Sequence, residues 1–295
     1  MKKVRKRMAP YVFLLPFLIA SVIFTFIPVI YSLSISFLDF TFLNPKNSAF
    51  MGIDNYKTVL GDPLFLKSLV NTLKLIIVVV PALLVISILL AVALNAKIKF
   101  RSFFRSAFYL PYVVTPVAMG VIAVQLFAKE NFIVKALSAI GMDNVSWHTT
   151  APYAFWLVVL VVVWSQMGFY MVLYLNGLQN IPAELYEAAM IDGATVKRRF
   201  WHITLPLLKP TTVLVLFMCL LSTLQILDQP YVISTTGNAT PGSPGDTTLT
   251  MVMYIYNLAF RYRKMGSASA ASFIVFLIIF VLSLIQNMTV GRKEE

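Results

Sequence analysis

Ser222, Thr223, Gln225, Asp228 and Gln229 stand near the end of a long apolar run, and Ser165 and Gln166 interrupt another. Amides, hydroxyls and a carboxylate are the groups that hydrogen-bond a solute rich in hydroxyls. The three-residue spacing of Ser222, Gln225 and Asp228 predicts that they share one face of a helix. The same side chains could instead tie one helix to its neighbour, and both readings stay open at this point. Polar groups inside an apolar span usually face a bundle interior or a wet cavity, because a charge at the centre of a span costs roughly 2.5–3.5 kcal/mol.

A second polar passage is "IPAELYEAAMIDGATVKRRFWHITLPLLKP", Ile181 to Pro210. Pro182 suits the first turn of a helix, "AELYEAAMID" supplies helix formers, and Gly193 suits a helix end that needs positive φ. Glu184 and Glu187 fall early in that helix, where they favour the positive end of its dipole. Thr195 can cap a second short helix. That helix opens with Lys197 and Arg198, which oppose its dipole, so membrane topology or an anionic partner must account for them.

Other chemistries find no residues to carry them. The sequence has no G-x-x-x-x-G-K-[ST] phosphate loop, so it is not expected to hydrolyse ATP itself. Its two histidines, His148 and His202, lie far apart, and Cys219 is its single cysteine, so neither a metal site nor a disulfide is expected. No cluster of nucleophile and base suggests an enzyme.

The elements that must position these residues are membrane helices. Of 295 residues 59% are hydrophobic and 12% charged, and the mean hydropathy is +0.82. Apolar surface on that scale must face lipid. Runs close to the ~20 residues that cross a bilayer predict about six spans. These are Tyr11–Leu38, Leu69–Leu94, Ala107–Ala128, Pro152–Leu178, Thr212–Ile233 and Ala270–Val290. The runs are continuous rather than alternating, which predicts an all-α integral membrane protein and not a barrel. The first is read as an uncleaved span, since it is too long for a signal peptide and no A-x-A-like site follows it.

Fifteen of the 24 Lys and Arg residues fall in the N-terminal tail, in "AKIKFRSFFR", in the 181–210 passage and at the C-terminus. The positive-inside rule then places both termini and the 181–210 passage in the cytoplasm. The same distribution assigns the net charge of +12 to topology rather than to nucleic acid. The expected organisation is a tail 1–10, a membrane domain 11–290 containing a loop 179–210, and a tail 291–295. On the other side, "FLNPKNSAFMGIDNYKTVLGDP" reads as a small ordered loop, and "LTMVMYIYNLAF" is too short to cross. "GSASAAS" opens the last span with small residues suited to close helix packing. No internal repeat is evident.

"YEAAMIDGATVKRRFWHITLPLLKP" resembles the EAA loop of the inner-membrane permeases of binding-protein-dependent ABC importers. Glu187, Ala188, Ala189, Gly193, Ile203, Leu205 and Pro206 match that motif in order. "MGIDNYKTVL" and "FFRSAFYLP" are similar to the first permease of the maltose, multiple-sugar and glycerol-phosphate branch. One departure is "TTGNATPGSP" after the fifth span, where the family commonly has a Thr-Gly-Gly-Pro turn.

The resemblance implies a transport subunit of the bacterial cytoplasmic membrane forming half of a sugar pathway, with the seven motif residues coupling it to ATPases. Implied partners are a second permease, two ATP-binding cassette ATPases that use ATP and Mg, and an extracytoplasmic solute-binding protein; this chain would hold no cofactor. Gln166, Ser222, Gln225, Asp228 and Gln229 are the candidate pathway residues. The spans hold no Arg or Lys placed to bind a phosphate, which favours an oligosaccharide over glycerol phosphate. The alternative is an ion-coupled secondary carrier of a polar solute, for which Asp228 is the one acid inside an expected span.

Overall fold

The computed structural model describes residues 13–40, 48–96 and 99–291. The expected tail 1–10 and residues 292–295 lie outside the described residues, as does the Asn-Pro turn at 44–45. In chain order the helices are α1 (Phe13–Ile35), α2 (Asp54–Gly61), α3 (Pro63–Asn95), α4 (Arg101–Val113), α5 (Pro116–Leu126) and α6 (Phe132–Ala139). They continue as α7 (Ala151–Gln179), α8 (Ala183–Ile191), α9 (Val196–Arg199), α10 (Lys209–Leu224), α11 (Asp228–Thr235), α12 (Met251–Tyr256) and α13 (Met265–Gly291). Among the described residues no strand forms beyond one antiparallel bridge, Leu38 to Phe50.

Five helical stretches are long and apolar enough to cross a membrane: α1, α3, α7, Lys209–Thr235 and the Met265–Leu284 part of α13. The expected third span differs. Instead of one rod over Ala107–Ala128 the chain forms α4 and α5, bent by 98°. Val114 and Thr115 are extended between them, because a residue before proline avoids the helical region and Pro116 can only begin a helix. Thr115 Oγ1 accepts a 3.4 Å hydrogen bond from Ala118 N and so caps α5.

The fifth span is also broken. α10 ends at Leu224, Leu227 leaves helical geometry at φ −131°, and α11 begins at Asp228. Pro230 is the cause: it has no N–H to offer the carbonyl four residues earlier, that of Ile226, and its ring crowds that oxygen. Thr250 Oγ1 donates to the Ile226 carbonyl at 2.9 Å instead.

The described chain forms two compact units. One takes residues up to Pro63 together with Ile255–Leu277. Its polar centre is Asn55, whose Nδ2 donates to the carbonyls of Ser36 and Leu38, both at 2.9 Å, while its Oδ1 accepts from Ser267 Oγ at 3.0 Å. Ser32 Oγ donates to Ser269 Oγ at 3.2 Å, so the small residues that open α13 pack against α1. A side chain at Gly266 would run into the Leu38 carbonyl.

The second unit takes Leu64–Tyr254 and the chain from Ile278 onward. Its core joins Leu75, Val79 and Leu83 of α3 to Leu157, Val161 and Val162 of α7 and to Val215 and Cys219 of α10, all buried. Lipid is as apolar as these side chains, so close packing rather than escape from water holds them together. Gly168 shows how close: a Cβ there would meet the Phe108 backbone of α4. The segment 251–256 does not qualify as a span, and Met251, Met253 and Tyr254 are buried, with Phe65 and Tyr254 rings 5.5 Å apart.

Candidate functional site

Both broken spans open on one cavity of about 420 Å³ within the second unit. The α4–α5 break contributes Tyr112, Val114 and Pro116, and the middle of α7 contributes Ser165, Gln166, Phe169 and Tyr170. From the other broken span come Met218, Leu221, Ser222, Gln225 and Gln229. Four of the five expected pathway residues are therefore brought together. Asp228 is not among the lining residues. The expectation that it shares a helical face with Gln225 and Ser222 fails, because the helix stops between Gln225 and Asp228.

At the centre Gln166, Tyr170 and Ser222 form a triangle of polar atoms in which two hydroxyl protons serve two of the three sides at a time. Tyr170 OH donates to Gln166 Oε1 at 3.3 Å, Ser222 Oγ donates to the same oxygen at 3.2 Å, and the two hydroxyls lie 3.1 Å apart. This couples α7 to α10 and leaves the Gln166 amide nitrogen without a protein acceptor among the described residues. Gln225 and Gln229 make no side-chain hydrogen bond with any described residue, so their donors and acceptors are available to a ligand. Tyr112 and Phe169 stack with centroids 4.6 Å apart and planes 14° from parallel. No Asp, Glu, Lys, Arg or His lines the space. Amides, hydroxyls and aromatic faces without charge suit a neutral, polyhydroxylated ligand with flat apolar patches.

The aromatic members escaped the reading of the sequence. Tyr112, Phe169 and Tyr170 belong to a chain with 13 Tyr and 23 Phe, and nothing in their spacing separates them from lipid-facing rings. The Thr-Pro pair at 115–116 was a usable signal, since it marks the break that turns Tyr112 toward Phe169.

The loop 179–210 is a separate feature, about 20 Å along α7 from Gln166 at the helical rise. α8 ends in a paired C-cap: Gly193 N donates to Met190 O at 3.1 Å and Ala194 N to Ala189 O at 2.8 Å. Gly193 has φ +73°, and nothing lies within 4 Å of where its Cβ would be, so the position demands a conformation, not space. Thr195 Oγ1 accepts from Arg198 N at 3.3 Å to cap α9, which runs into a π-helical turn over Phe200–Thr204.

Tyr186 OH and Thr204 Oγ1, 2.9 Å apart, tie the loop's two arms together; neither residue was singled out by the sequence. Glu187, Ala188 and Pro206 are exposed, while Ala189, Ile203 and Leu205 are half-buried. Ile191 is 87% exposed. His202 Nδ1 lies 3.0 Å from the Arg198 carbonyl, whereas His148, distant in sequence, has its pKa lowered by partial burial. Among the described residues no group of His, Cys, Asp or Glu could hold a metal.

Residues 65–294 match the family described as binding-protein-dependent transport system inner membrane component. The arabinooligosaccharides transport system permease protein AraP of Bacillus subtilis (strain 168) is 35% identical over 95% of this chain and 88% of its own. The multiple sugar-binding transport system permease protein MsmF of Streptococcus mutans serotype c is 35% identical over 100% of this chain and 99% of its own. Among solved structures, a bacterial ABC transporter involved in the import of the acidic polysaccharide alginate has a chain with TM-score 0.84. It is 25% identical and covers 99% of this chain and 98% of its own.

Proposed function

Because the chain belongs to the family of binding-protein-dependent transport system inner membrane components, we propose that it forms half of the path by which an ABC importer moves a sugar or oligosaccharide. It is a multi-pass membrane protein and a transport component rather than an enzyme. The observation that carries the sugar reading is the uncharged cavity, with its Gln166–Tyr170–Ser222 triangle and the Tyr112–Phe169 stack. The named substrates of its relatives, arabinooligosaccharides and multiple sugars, are of the same class. Family membership weighs against the ion-coupled carrier.

In this reading a solute-binding protein delivers the sugar from outside, and a second permease supplies the other half of the path. Two ATPases using ATP and Mg drive it from the cytoplasm, where both termini and the 179–210 loop lie. Glu187, Ala188, Ala189 and Gly193 present the loop to an ATPase, and Ile203, Leu205 and Pro206 join it to α10. The geometry favours the loop for this role, since its acidic and small residues are exposed on a rigid, capped turn. The test is uptake of labelled oligosaccharide by the assembled importer carrying Gln166→Leu or Gln225→Leu. Transport should fall while the ATPases still co-purify; normal uptake in both variants would remove the cavity from the path.

A further inference from the structure

A second cavity, of about 530 Å³, opens beside the C-terminal end of α3, within the same unit as the first. Its apolar wall includes Val92, Leu178 and Phe200, and its polar side holds Asn95, Arg199 and the Tyr186–Thr204 hydroxyl pair. Arg199 is the one charged residue lining it. That side chain is half-buried, and its guanidinium makes no hydrogen bond or ion pair with any described residue. With no protein partner, that guanidinium is open to an anion entering the cavity.

A second guanidinium lies next to the lining residue Asn95, though it does not itself line the cavity. Arg101 Nη2 donates to Asn95 Oδ1 at 3.2 Å, and Arg101 Nε is buried with no hydrogen-bond partner. No acid lines the cavity. The place also matters: α3 carries no charged residue from Leu75 to Leu94 and ends at Asn95, so the cavity lies where a bilayer's hydrocarbon gives way to headgroups.

We infer that this cavity binds an anionic phospholipid, its phosphate on Arg199 and the hydroxyl pair and an acyl chain along Val92, Leu178 and Phe200. Guanidinium groups pair well with phosphate oxygens, and basic pockets at the inner ends of spans suit lipid headgroups. A soluble phosphate would leave the apolar wall bare. A carboxylate from a partner protein would have to enter a concavity and would leave the same apolar wall bare. The lipid would rest against α3 and α7 on one side and the α8–α9 arms on the other. Its occupancy therefore holds the loop to the membrane helices. This holds whichever solute is carried and whichever leaflet the loop meets.

The test is native mass spectrometry of the full-length chain, purified and mixed with phosphatidylglycerol or phosphatidylcholine. Phosphatidylglycerol should be retained in preference. Arg199→Gln should reduce its retention about fivefold, the effect of one basic residue at a membrane surface. Arg199→Lys should keep most of it, and so should Arg198→Gln, whose arginine does not line the cavity. Ala96→Trp should abolish retention by filling the space while leaving the charges intact, which decides the matter even if Arg199→Gln misfolds. Undiminished retention in Arg199→Gln or Ala96→Trp would overturn the site. Displacement of the lipid by excess inorganic phosphate would assign it to a soluble anion. Loss of the lipid on assembly with the ATPases would assign it to a protein carboxylate.

Discussion

The Thr250 hydroxyl donates to the Ile226 carbonyl at 2.9 Å, replacing the backbone bond that Pro230 cannot make. One side chain, on the residue just before α12, thus fixes the break on which Gln225 and Gln229 depend for their position in the cavity. Thr250→Val keeps the shape and removes the donor. It should cost about 1–3 kcal/mol, the penalty for stranding a buried acceptor, seen as a lower melting temperature of the purified protein. Thr250→Ser should restore the wild-type value, and Pro230→Ala should reduce the cost of Thr250→Val by returning a backbone donor. Equal melting of Thr250→Val and wild type would show that the hydroxyl is dispensable.

The cavity and Asp228 separate cleanly in transport kinetics. Tyr112→Ala removes one half of the ring stack and should raise the apparent KM for oligosaccharide uptake about tenfold, within the ~1–3 kcal/mol that one aromatic platform contributes to stacking a flat ligand. Asp228→Asn should leave KM unchanged, because Asp228 lies outside the lining. A large KM effect of Asp228→Asn with none from Tyr112→Ala would move the solute path away from this cavity.

Two glycines should respond differently to the same change. At Gly168 an added Cβ meets the Phe108 backbone, which cannot rotate away, so Gly168→Ala should lower stability by about 1–3 kcal/mol. At Gly193 there is space but a left-handed backbone, so Gly193→Ala should cost only about 1 kcal/mol. Gly193→Val and Glu187→Lys should both insert at normal levels yet fail in uptake, and Glu187→Lys should also lose ATPase on co-purification. Wild-type uptake in both would reduce the loop to a connector.

Topology is read most directly by labelling. With Cys219 replaced by Ser, a cysteine at Ser243 should react with an impermeant maleimide in intact cells and one at Thr195 should not. The opposite pattern would invert the orientation expected from the basic residues.

Five of the six expected spans were legible because length and continuity of apolar residues are local properties of the chain. Gly193 was legible for the same reason: a helix former run ending in glycine names its own cap. What escaped depended on contacts between distant segments. Thr250 completes a break 24 residues away, and that break parts Asp228 from the face it was expected to share with Gln225. Tyr112 meets Phe169 only because α4 and α5 bend apart at Thr115–Pro116, and no periodicity within either helix announces that meeting. The four amide and hydroxyl residues were found because polar groups are rare enough in lipid to stand out individually.

α7 carries no break over its 29 residues, unlike the two spans beside it in the cavity wall. It begins the loop at one end and holds Gln166, Phe169 and Tyr170 in its middle. At the helical rise it is a rod of about 44 Å, so a tilt of about 5° shifts one end by about 4 Å against the other. The jointed spans can flex where the rod cannot. Leverage would therefore be unequal around the cavity: a tilt of α7 would carry its wall as a stiff beam, while the walls at Pro116 and Gln225 would change only at their joints, the second of which Thr250 braces.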